Sequence, residues 1–152
     1  MNLIKNFPFP LLVIPSEVVF EPIEQVVLAC ELKDVEKIPV DKVIDLIKSI
    51  KAKLYVLNVH PDKEERVDTD VILQQTKLHQ LLEEINPDYQ YTNDENIVDN
   101  MENFALNHQM DLLIMTHKKH GFFHQLLHGS LTKKIAAHGK IPLLVLKEIE
   151  AK

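Results

Sequence analysis

The stretch "DLLIMTHKKHGFFHQLLHGSLTKKIAAHGKIPLLVLK", from Asp111 to Lys147, decides the fold of this 152-residue chain. Its first part, "DLLIM" (Asp111–Met115), is a continuous apolar run, which reads as a strand buried on both faces. Its last part, "PLLVL" (Pro142–Leu146), reads the same way and begins at a proline, a residue that cannot continue a helix. Between them Ser130 is placed to cap a helix ending at Gly139, the usual position of a left-handed residue. Strand, loop, helix and strand in that order make a parallel crossover unit. All 3 glycines of the chain, Gly121, Gly129 and Gly139, fall inside this stretch, so its turns have a chemistry of their own.

The alternation extends upstream. "QVVLAC" (Gln25–Cys30) and "KLYVLNV" (Lys53–Val59) are short runs rich in β-branched and aromatic residues, as in buried strands. Between them Val40, Val43, Ile44, Ile47 and Ile50 recur at helical spacing. "VILQQTKLHQLLEEI" puts Val71, Leu78, Leu81, Leu82 and Ile85 on one stripe behind a cap at Thr69 or Asp70. "DYQY" fills the next strand position, although it is polar, and Ile97, Val98, Met101, Phe104 and Ala105 form another apolar helical face. Five strands alternating with four helices predict an α/β three-layer α/β/α sandwich, Rossmann-like, around a five-stranded parallel sheet with right-handed crossovers. In such sheets a ligand sits outside the carboxyl ends of the strands, where the strand order switches. Those ends are Cys30–Glu31 and Met115–Lys119.

One strand is left over. "PLLVI" (Pro10–Ile14) nearly repeats "PLLVL" at the other end of the chain. Residues 1–23 are therefore expected to be an amino-terminal strand and connector, the last strand of a preceding domain or its relic in a natural single-domain chain, distinct from a domain at 24–150. A sheet ending in "PLLVL" has an edge that templates pairing. Leu11, Leu12, Val13 and Ile14 are expected to cover the edge formed by Leu143, Leu144, Val145 and Leu146, within the chain or by exchange with a second one.

The formal charge of −6 and pI of about 5.7 give no global field favouring nucleic acid or an anionic membrane. The longest apolar runs are too short to cross a bilayer. Cys30 is the single cysteine, so neither an internal disulfide nor a thiolate zinc cluster can form. With no signal-peptide pattern in "MNLIKNFPFP", the cytoplasm is the expected location.

The segment from Asp111 to Lys147 resembles the carboxyl-terminal third of universal stress proteins, whose adenine nucleotide alpha hydrolase-like fold agrees with the element string over about residues 24–148. The family pattern there is Gly-x2-Gly-x9-Gly-Ser/Thr, whose glycines let the backbone approach a nucleotide phosphate. The resemblance places the pattern on Thr116, Lys119, Gly129 and Ser130, with Glu31 at the family's acidic position. It thereby implies a cofactor-binding set of Glu31, Val59, Met115, Thr116, Lys119, Gly129, Ser130 and Leu131. Thr116 and Lys119 replace glycines, which argues against high-affinity ATP binding and leaves no cofactor expected. The alternative is an ATP- or AMP-binding switch, with slow hydrolysis, in which Lys118 and Lys119 neutralise phosphate by side-chain charge. The resemblance also implies a non-enzymatic regulatory or interaction module. It would be a homodimer, or paired with a sister domain of a tandem protein, through its last strand. No nucleic acid or membrane partner is expected.

Other residues invite chemistry. His117, His120, His124 and His128 cluster in sequence, but Gly121 and the family pattern make the start of that segment a loop, so no metal site is expected. Cys30 lacks an adjacent base and reads as a small hydrophobe, and Phe122 and Phe123 read as anchors of their loop. Response regulators share the alternating string, but "DYQYTN" supplies no strand-end aspartate for that chemistry.

Overall fold

The computed structural model describes residues 9–60, 69–93, 97–117 and 139–150. Six strands form one sheet: β1 (Leu11–Val13), β2 (Gln25–Cys30), β3 (Lys53–His60), β4 (Asp88–Asn93), β5 (Leu112–His117) and β6 (Leu143–Lys147). Three helices lie among the described residues: α1 (Val40–Ile50), α2 (Thr69–Leu81) and α3 (Ile97–Asn107). The expected helix from Ser130 to Gly139 falls largely outside the described residues. The strand order is β1-β6-β5-β2-β3-β4, parallel from β6 to β4, with β1 antiparallel on the end. The five-stranded parallel core with an added amino-terminal strand is thus present.

The core sits where the apolar runs predict it. Val26, Val27, Leu28 and Ala29 of β2 and Leu112, Leu113, Ile114 and Met115 of β5 are buried on both faces of the sheet, as continuous apolar strands must be. On α1 the stripe Val40, Val43, Ile44 and Ile47 is buried, and the helix stops at Lys51 in a left-handed conformation, φ 54°. On α3 the buried residues include Met101 and Ala105.

The stripe on 71–85 is broken in two. α2 ends at Leu81 and a 3-10 turn, Glu83–Ile85, follows, closed by Asn86 at φ 42° before Pro87. Pro87 cannot donate to a continuing helix, so the last turn tightens and bends. Leu78 and Leu82 reach the core, while Val71, Leu81 and Ile85 are half-buried.

The left-over strand pairs within the chain. Leu11 lies opposite Val145, Leu12 opposite Leu144 and Val13 opposite Leu143. The edge of β6 is therefore occupied by β1. At the amino ends of the central strands, Asp111 Oδ2 accepts from the Glu24 and Gln25 amides at 2.9 Å each. Asp111 thus ties the entrance of β2 to that of β5. Asp111→Ala is expected to cost about 1–3 kcal/mol, because two amides lose a charged acceptor. Asp111→Asn, which keeps one acceptor oxygen, recovers part of that loss. Urea unfolding of both variants checks this, and an unchanged Asp111→Ala midpoint would refute it.

Candidate functional site

From β2 the chain proceeds outward to β3 on one side, and β5 flanks β2 on the other. The order therefore switches between β2 and β5, and the crevice lies outside their carboxyl ends. The ends are held firmly. Gln74 Oε1 of α2 accepts the Val35 amide at 2.9 Å, fixing the loop after β2. The Ile149 amide donates to the Lys37 carbonyl at 2.8 Å, binding the segment after β6 to the same loop.

A row of polar side chains crosses the sheet at this level. Cys30 pairs in register with Asn58, and Asn58 with Tyr91. Thr116 stands one residue past the β5 position that faces Ala29, as Cys30 does in β2. Residues in register on parallel strands present side chains to the same face, so the four form one row. The Cys30 thiol donates to Asn58 Oδ1 at 3.3 Å, and Gln75 of α2 donates to the Tyr91 hydroxyl. Asn58 and Thr116 are buried, and Asn58 Nδ2 and Thr116 Oγ1 have no hydrogen-bond partner among the described residues. Each such buried atom costs about 1–3 kcal/mol unless something else satisfies it.

The expected site residues divide accordingly. Glu31, Val59, Met115 and Thr116 are all buried at the carboxyl ends of β2, β3 and β5. Lys119, Gly129, Ser130 and Leu131 lie outside the described residues, as do His120, His124, His128, Phe122 and Phe123. Leu143, Leu144, Val145 and Leu146 form β6, and Leu11, Leu12 and Val13 form β1, with Ile14 one residue beyond. Asn58, Gln75 and Tyr91 were not among the expected residues. The one available signal is Asn58 itself, a single amide interrupting the apolar run "KLYVLNV".

The electrostatics are quiet. Burial pushes the Tyr89 hydroxyl up to about 12, and its ring stacks on His79 with centroids 3.8 Å apart. Burial also raises Tyr91, opposed in part by the Gln75 hydrogen bond and by the Asn58 amide beside the hydroxyl, although Asn58 Nδ2 falls short of full hydrogen-bond geometry. At the far edge, the hydrogen bond to Asp88 raises Lys53. The acceptor beside Cys30 is an amide oxygen, which cannot take a proton as a base would. No group of three His, Cys, Asp or Glu among the described residues could hold a metal ion. No helix among them is long and apolar enough to cross a membrane.

Known structures share this architecture. A universal stress protein solved with cAMP superposes with a TM-score of 0.58 at 17% identity, covering 84% of this chain and 98% of its own. A putative universal stress protein from Pseudomonas aeruginosa superposes with a TM-score of 0.66 at 13% identity, covering 91% of this chain. One from Archaeoglobus fulgidus gives 0.62 at 12% identity, covering 94%. The chain spans about half the length of these last two, 52% and 51%. At such identities the likeness shows the fold. No protein with a curated description matches in sequence. The family model for the universal stress protein family, however, matches residues 22–147, most of the chain. The chain belongs to the universal stress protein family.

Proposed function

We propose that this chain is a non-enzymatic, stress-associated interaction domain that works through the apolar sheet edge built by β1 and β6, without high-affinity ATP binding. One observation carries the reading. Half of the exposed large apolar side chains among the described residues fall on one segment, and they include the most exposed of all, with Leu12 at 51%, Ile14 at 61%, Val19 at 77% and Phe20 at 97% exposure. A contiguous apolar patch on a globular protein marks an interaction site. The cleft offers a triphosphate less. Thr116 brings a buried side chain to a position where the family uses glycine, and Lys119 does the same in sequence. The expected partner is a second copy or a sister domain of the same fold, and the half-length match to the two longer structures supports the latter. A single buried thiol, Cys30, suits the reducing cytoplasm.

A second reading, a nucleotide-binding switch, is favoured by the row at the switch point. Asn58 Nδ2 and Thr116 Oγ1 are polar atoms that a bound nucleotide would satisfy, and a universal stress protein of the same fold has been solved with cAMP. Gly129, Ser130, Lys118 and Lys119 would then meet the phosphate. Calorimetric titration with ATP and magnesium separates the two. The interaction reading expects no heat up to millimolar ATP. Micromolar binding that weakens in Ser130→Ala would replace it with the switch.

A further inference from the structure

We infer that the amino-terminal end of the sheet carries a binding site for a small cationic amphiphile, an alkyl chain with an ammonium head, held between the connector of residues 14–24 and one face of the sheet. The inference goes beyond the interaction reading and does not depend on it.

Topology makes the hollow. β1 lies at one margin of the sheet and β2 near its middle, with β6 and β5 between them. Because β1 runs antiparallel to β6, its end at Val13 stands beside the start of β6 at Leu143. The connector therefore passes the amino ends of β6 and β5 to reach Gln25, at the end of the sheet away from the switch-point crevice. Leu12 pairs in register with Leu144, and Leu144 with Ile114. Leu112 lies two residues before Ile114, so Leu12, Leu112 and Leu144 share one face. The connector does not close onto that face. Between them is a cavity of about 700 Å³, walled by those three leucines, by Val18 and Ile23 of the connector and by Leu46 of α1. That volume suits one small molecule.

The lining grades from dry to wet. Met110 and Leu112 are buried, whereas Leu12, Ile14, Val19 and Phe20 on the same lining are exposed. An alkyl chain laid into the hollow takes that apolar surface out of water, and each buried methylene adds to the gain. The connector is also set in advance. Pro15 and Pro22 fix backbone torsions at its two ends, and the Val18 amide closes a turn onto the Pro15 carbonyl at 3.1 Å. A site held open beforehand loses less freedom on binding.

Charge decides the head group. The lining carries three carboxylates, Glu17, Glu21 and Asp111, against one ammonium, Lys140. Asp111 is already engaged with the Glu24 and Gln25 amides. Glu17 and Glu21 are exposed and make no ion pair among the described residues. An anionic head would meet like charge there, and a cationic one meets its complement.

Calorimetric titration of the full chain tests this with two probes of equal chain length, decyltrimethylammonium and decanoate, both kept below micelle formation. Decyltrimethylammonium is expected to bind once per chain with sub-millimolar affinity, and decanoate about tenfold more weakly or worse. Glu17→Lys with Glu21→Lys, both on the exposed connector, should reverse that order. Leu12→Gln, at an exposed position of the wall, should weaken both probes several-fold. No binding of decyltrimethylammonium overturns the inference. So does binding that ignores Leu12→Gln or keeps its order in the charge-reversed variant, because the probe then sits elsewhere. Sedimentation of the titrated protein separates this inference from the interaction reading. A probe that binds only as an oligomer comes apart would assign the hollow to a protein contact, overturning the ligand site and leaving the interaction reading standing.

Discussion

Replacing Ile114 by alanine lowers the free energy of unfolding by about 2–5 kcal/mol. Ile114 lies in β5 between Leu28 of β2 and Leu144 of β6, and its side chain is fully buried. Three methylene-sized groups lose their transfer free energy, and the neighbours cannot close the gap without shifting two hydrogen-bonded ladders. Parallel strands covered on both faces hold their register tightly, so the cavity term stays large. The midpoint of urea unfolding should fall with an unchanged slope, because the surface exposed on unfolding hardly changes. Leu73→Ala, on the exposed side of α2, is the control and should stay within about 0.5 kcal/mol. Equal effects at the two positions would refute this account of the core.

The same asymmetry explains what was legible in the sequence. β2 and β5 are continuous apolar runs because both faces of a central parallel strand are covered, and that pattern has few other readings. α1 was equally plain, since Val40, Val43, Ile44 and Ile47 recur with the helical period. β4 was harder. "DYQYTN" forms a six-residue strand at the edge of the sheet, where polar side chains keep their water and the backbone ladder to β3 supplies the stability. Composition carries little trace of such a strand. The run through Ile85 suggested one helix because periodicity registers side chains, while the break at Leu82 is set by Pro87 and the left-handed Asn86.

The candidate site was legible only as positions at strand ends. The switch point follows from strand order, which alternation and the family pattern imply, so Glu31, Val59, Met115 and Thr116 could be placed at strand ends from the sequence. The row of Cys30, Asn58 and Tyr91 could not. It depends on the registers of β2, β3 and β4, and no local pattern encodes which residues of three separated strands stand side by side. The antiparallel register of β1 is of the same kind. The repeat "PLLV" announced a partner for β6, but the centring on Leu12 and Leu144 is a property of the ladder.

Asn58→Asp should have the largest pH-dependent effect of any conservative substitution in the row. The two side chains have the same shape, and one oxygen still accepts from the Cys30 thiol. The other replaces Nδ2, an atom with no partner among the described residues, in a buried position. Burial disfavours the charged form, so the introduced carboxyl has a folded pKa above its unfolded value of about 4. The sign follows directly. The folded state suffers no charge penalty below the unfolded pKa, and stability is lost as pH rises through the folded one. Near pH 8 the variant should be less stable than the wild type by about 3–5 kcal/mol, the cost of an unpaired buried charge. Near pH 5 most of that difference should vanish. Asn58→Leu separates charge from shape. It removes the amide whose Nδ2 lacks a partner in hydrogen-bond geometry among the described residues, and it takes from the Cys30 thiol, a weak donor, the Asn58 acceptor. It should therefore be about as stable as the wild type, or more so, at both pH values. Urea unfolding at the two pH values reads all three proteins. If Asn58→Leu is instead as damaged as Asn58→Asp at pH 8, Nδ2 has a structural partner and the row is core architecture. If Asn58→Leu is stabilised, the wild type keeps a polar atom at the switch point at a cost to its own fold. That cost is what a site retained for a ligand would carry, and it would move weight from the sheet edge back to the cleft.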